Sequence, residues 1–153
     1  MNIFGGHNIY IPNNLRELFA RYCLTRAEGS KNDPEDSPFP RMVDLWFLGL
    51  NVAAHLDLNP RDLEKKDSYN AIEGNVFGND SYRSDLIVLF CIAKTGSIDC
   101  IEKPSEMLRL ANSYALAGVY YITQELEKVR ARDEPLDYLC NLCADEILKA
   151  NSK

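Results

Sequence analysis

The stretch that decides the fold is FPRMVDLWFLGLNVAAHLDL, residues 39–58. After its first turn it is apolar on nearly every side. A helix with no polar face must be covered all round by the rest of the protein. Asp44, Asn51 and His55 interrupt it, and the run is too short for a membrane span. It reads as a central helix, starting near Pro40, of a compact helical domain. Pro40 suits the first turn of a helix. Trp46 is its largest core candidate.

Working outward, the next apolar run is Leu86 to Ala93, LIVLFCIA. Its length alone would allow a buried strand. Flanking helical patterns and the lack of evident partner strands favour a second buried central helix, with Leu89 in the core. Ser81 or Asp80 supplies its N-cap, and Gly96 its C-terminal stop. A long helix then runs from Lys103 to about Arg132. Leu108, Ala111, Ala115, Val119, Ile122, Leu126 and Val129 step along it by three or four residues. Gly118, beside Ala115 and Ala117, lets a neighbouring helix approach closely. A last helix follows Asp133-Glu134-Pro135, with Leu136, Leu139, Cys140, Cys143, Ile147 and Leu148 expected on its buried face.

On the N-terminal side, residues 1–11 form an arm in which Ile9 and Ile11 pack in extended form on the body. A helix begins at Pro12-Asn13 and is expected to end near Gly29. Residues 29–38, GSKNDPEDSP, form a polar loop without an apolar side chain. Asn59-Pro60 breaks the central helix and caps a short one. Residues 68–80 read as irregular, anchored by Ile72, Val76 and Phe77. The expected architecture is therefore all-α: one domain over residues 1–153, with about six helices and two buried central ones.

The 153 residues carry a formal charge of −6. That disfavours direct binding to a phosphate backbone. No basic lead and apolar run mark a secretion signal, and the odd number of cysteines, five, suggests reduced thiols in a cytoplasmic protein.

Three groups of residues invite a chemical reading. Cys140-x-x-Cys143 has the spacing of half a zinc site, but no second close pair of ligands accompanies it. It also lies inside a helical pattern rather than at a helix start, where a thiol would be activated. Core packing is the expected role. His55 has Asp57 and Asp62 near it in sequence, Asp57 on a different helical face, and reads as a helix-end histidine. No arginine precedes it at the spacing of all-helical nucleases; Gly49 and Leu50 stand there. Asp44, inside an apolar helix, needs a partner such as Arg83. No Gly-rich phosphate loop and no hydrolase motif is present. No catalytic residue, cofactor or metal is expected; the alternative is a small metal- or thiol-dependent hydrolase built from Cys140, Cys143 and His55.

The tyrosines point elsewhere. Tyr114, Tyr120 and Tyr121 crowd one helix, and Tyr138 lies on the next. One stripe cannot bury all of them, because adjacent residues point about 100° apart. Such rings either reach water with their hydroxyls from the rim of the core or serve an interface, where tyrosine is enriched; on the second reading these four are the candidate contact residues for a protein partner or a second copy.

Three segments together, FPRMVDLWFLGLNVAA, RSDLIVLFCIAKTGSID and LRLANSYALAGVYYITQEL followed by DEPLDYLCNLCADEI, resemble the small accessory proteins of bacterial DNA-phosphorothioation (Dnd) defence systems. Phe39, Asp44, Ala53, Ala54, Tyr114, Ala115, Gly118, Leu136 and Leu139 carry the likeness; Ser113 stands where that family has an acidic residue. The resemblance implies a helical fold and an accessory or regulatory role in phage defence or DNA modification, exercised through protein partners; it brings no catalytic residue to this chain.

Overall fold

In a computed structural model, residues 2–24, 36–129 and 135–152 are described. The molecule is mostly helical: α1 (Arg16–Tyr22), α2 (Met42–His55), α3 (Ser81–Thr95), α4 (Pro104–Val129) and α5 (Pro135–Asn151), joined by short 3-10 turns. It is not purely α. Strand β1 (Asn8–Pro12) pairs antiparallel with β2 (Ser68–Glu73), from Asn8 opposite Glu73 to Pro12 opposite Ser68. The N-terminal arm is thus one strand of a small sheet. Ile9 and Ile11 point inward, and Ile72 is buried on the partner strand. Of the other anchors expected nearby, Phe77 is buried but Val76 is exposed.

The core is the crossing of α2 and α4, the most extensive contact between elements. At its closest point two glycines meet. A Cβ on Gly118 would lie 1.8 Å from the Gly49 carbonyl oxygen, so only glycine permits this approach. Trp46 is fully buried, and its Nε1 donates to Asn112 Oδ1 at 2.8 Å. Asn112 Nδ2 in turn donates to the Tyr10 carbonyl at 2.9 Å, tying α2, α4 and β1 together. Six of the seven positions expected on the α4 stripe, Leu108 to Leu126, are buried, and the seventh side chain, Val129, lies outside those described.

At the start of α2, the Arg41 N–H donates to the Asp44 carboxylate at 2.9 Å. The same carboxylate receives Arg83 at 2.7 Å, as its buried setting demanded. Asp80 caps α3 by accepting from the Arg83 N–H, and Gly96 ends it in the left-handed region at φ 71°. Asn51, by contrast, is exposed and bonds its own helix through the Phe47 carbonyl.

Four expectations are corrected. The second central helix is α4, not α3. Ile87 and Cys91 are the buried apolar residues of α3, and Leu89 is 60% exposed. A continuous apolar run wraps round a helix at about 100° per residue, so packing on one side leaves much of it outside. Helix α1 stops at Tyr22, because Cys23 turns extended and bridges Phe39. The 29–38 loop lies largely outside the described residues; at its end the Ser37 hydroxyl donates to the Arg21 carbonyl at 2.5 Å. After Asn59 no α-helix forms: the Arg61 N–H bonds across to the Ser113 carbonyl at 2.9 Å instead of within a helix. The fourth correction concerns α5, below. No helix among the described residues is long and apolar enough to cross a membrane.

Candidate functional site

Helix α5 docks on α4 by a narrow face. Pro135 and Leu139 are its buried residues, and the Tyr138 hydroxyl donates to Glu125 on α4 at 2.9 Å. The expected buried face is mostly in solvent: Leu136 and Cys140 are exposed, Ile147 is 60% exposed and Leu148 67%. Cys143 is half-buried. The core reading of Cys140 is therefore wrong. The physical reason lies in the width of the apolar surface. At about 100° per residue, Leu136, Cys140, Cys143 and Ile147 fall within some 60° of one another, while Leu139 and Leu142 fall on the adjoining side. One helix carries two apolar faces, and α4 covers one.

His55, at the end of α2, is exposed, and its Nε2 lies 3.6 Å from the Glu146 carboxylate of α5. The Glu146 carboxyl is held below the usual range by its bond from Lys149, with His55 contributing. His55 thus lies beside α5 about one turn beyond Cys143. Burial raises the Cys143 thiol. Among the described residues, no group of three or more His, Cys, Asp or Glu side chains is placed to hold a metal ion.

The four tyrosines separate into two sets. Tyr114 and Tyr121, seven residues apart on α4, share a face within about 20°. The Tyr114 ring meets Phe90 edge-on at 5.2 Å and lies under Lys94 at 4.7 Å. Tyr138 joins this side through its bond to Glu125, which together with the Glu125 charge raises the Tyr138 hydroxyl. Tyr120 turns away, donating to Asn14 Oδ1 at 2.9 Å beneath the Arg61 guanidinium. All four rings are half-buried.

Sequence reading missed a second feature, a cleft of about 770 Å³. Three walls enclose it: residues 6–10, residues 60–65 and residues 105–113. Both tethers described above, Asn112 to Tyr10 and Arg61 to Ser113, fasten α4 to the other two walls. Ile9 and Leu108 are buried at its base, while Lys65, Arg109, His7 and Asp62 are its ionisable lining residues, with Tyr10. No motif announces it, because its walls come from three distant segments. No protein family, curated protein or solved structure matches the chain.

Proposed function

We propose that this protein is a non-enzymatic interaction module that associates through α5, and that the first occupant of the α5 stripe is a second copy of the chain. The observation that carries this is a run in which Leu136, Cys140 and Ile147 are exposed and Cys143, between them, is half-buried. Its spacing is symmetric, four, three and four residues. An antiparallel copy related by a two-fold axis therefore sets Leu136 against Ile147 and Cys140 against Cys143, apolar on apolar at every layer, as an isologous interface requires. None of the α5 charges falls within the stripe. It spans only about 17 Å along the helix, so the seam falls in the small, transient class of interfaces, below about 1,000 Å².

The resemblance to Dnd accessory proteins supplies the setting for this reading: a cytoplasmic accessory or regulatory subunit in a bacterial phage-defence or DNA-modification system. The half-buried rings of Tyr114, Tyr121 and Tyr138 then shape the rim from which α5 is presented.

Sedimentation velocity tests the proposal, from about 5 to about 500 µM protein, as suits a weak interface. The mass is expected to rise from 17.4 kDa toward twice that value. The double variant Leu136→Glu/Ile147→Glu should remain monomeric with an unchanged helical circular-dichroism spectrum. A wild type that stays monomeric throughout, or a variant that associates equally well, sinks the reading.

A further inference from the structure

We propose that the cleft between β1, residues 60–65 and the N-terminal half of α4 is a binding site for a small organic anion: an acidic group carried on an apolar body. The chain as a whole is acidic, at −6. The cleft inverts that sign. Lys65 and Arg109 line it against the single carboxylate of Asp62, and the His7 ring adds a further polar group. The two lysines of the 65–66 pair are not equivalent. Lys66 is matched by Glu64 at 3.1 Å, whereas the Lys65 ammonium lies 5.3 Å above the Tyr10 ring, inside the cleft. Among the described residues, Arg109 and the His7 ring make no hydrogen bond or ion pair, so their donors are available to a ligand.

The apolar half of the ligand is specified separately. Ile9 and Leu108 close the base, and Leu63 and Tyr10 flank it. An inorganic ion would leave that apolar surface in contact with water; a neutral hydrocarbon would leave both cations unmatched. The walls are also preformed. Asn112 and Ser113 hold β1 and the 60–65 segment at 2.9 Å each, and the turn carrying His7 is closed by its N–H to the Phe4 carbonyl at 3.0 Å. The volume of about 770 Å³ is within the range of about 300–1,000 Å³ usual for small-molecule sites.

Nitrogen–proton correlation spectra of the full chain, titrated with 1-naphthyl phosphate and with 1-naphthol, test this. The phosphate ester is expected to shift the amides of Gly6, Asn8, Leu63 and Ser113 saturably, at least about tenfold more tightly than the alcohol. Inorganic phosphate alone should bind weakly. Lys65→Gln/Arg109→Gln, both exposed positions, should erase the tenfold preference while leaving the rest of the spectrum in place. The proposal fails if ester and alcohol bind alike, if the shifts map to α5 instead, or if the double variant keeps the preference.

Discussion

Replacing Gly118 by alanine tests the central architecture most directly. In an unobstructed helix this change stabilises, by about 0.8–1 kcal/mol, because alanine is the better helix former. Here the new methyl would sit 1.8 Å from the Gly49 oxygen, 2.5 Å from its carbonyl carbon and 2.7 Å from its Cα. All three are backbone atoms, so no side chain can swing aside. Restoring ordinary contact, which begins at 3.4 Å, parts α2 from α4 by about 1.6 Å locally, and a gap of 0.5–1 Å already forfeits a quarter to a half of each dispersion contact. Trp46, Leu50, Val119 and Ile122 are buried near this crossing, and each contributes about 2 kcal/mol by burial. Losing a third to a half of that is about 3–4 kcal/mol, in line with the upper range of overpacking costs. After the helix-propensity gain, Gly118→Ala should be destabilised by about 2–3 kcal/mol, lowering the urea midpoint by about 1–2 M at constant slope. Gly78→Ala is the control: its Cβ would meet the Asn2 side chain no nearer than 3.4 Å, ordinary contact, and the change should stay within about 0.5 kcal/mol. If Gly118→Ala unfolds at the wild-type midpoint or above it, α2 and α4 do not cross at the two glycines.

Asn112→Leu should cost about 2–4 kcal/mol in urea unfolding and shift the emission of Trp46, since it strands both the indole N–H and the Tyr10 carbonyl; an unchanged midpoint would show that neither bond is made. Thiol labelling at pH 8, read by peptide mass, should modify exposed Cys140 first, whereas Cys23 and Cys91, both pushed up to about 12 chiefly by burial, should react only on unfolding. Early labelling of Cys91 would contradict the packing of α3. Burial opposes ionisation of Asp80, but the hydrogen bonds and charge of Arg83 outweigh it and hold the carboxyl below 3.8. Its stabilising contribution is therefore present above that value and lost as pH falls through the folded-state value. Asp80→Asn, which keeps a capping side chain, should melt lower than wild type at pH 7, by a margin that shrinks as the pH falls through the depressed folded-state value; equal melting temperatures at pH 7 would refute the assignment.

What the sequence disclosed tracks how local the signal is. The α4 stripe from Leu108 to Leu126, the Asp80 cap and the Gly96 stop are each written within one or two turns, and each is where the pattern places it. Gly118 was readable as a close approach because small residues cluster round it, although its partner Gly49 was not. The β1–β2 pairing was illegible for the opposite reason: its strands are five and six residues long and some sixty positions apart. Their pairing is decided by the core that Ile9, Ile11 and Ile72 share. The misreading of Leu89 came from equating an apolar run with burial, when α3 packs by one side.

The α5 stripe and the cleft fail to appear in the sequence in different ways, and this keeps their tests independent. Apolar periodicity says that a residue is to be shielded from water; it does not say by what. On α4 the shield is α2, from the same chain. On α5 the same signal at Leu136, Cys140 and Ile147 leaves the side chains exposed among the described residues, and the proposed seam is what would cover them. The cleft has no periodicity at all, being a juxtaposition of charges that the fold assembles. Along α4, Arg109 on the cleft and Glu125 under Tyr138 stand sixteen residues apart, or about 24 Å of helix. Disrupting the α5 seam with Ile147→Glu should therefore leave anion binding intact, and removing Lys65 and Arg109 should leave self-association intact, so that each reading stands or falls by its own experiment.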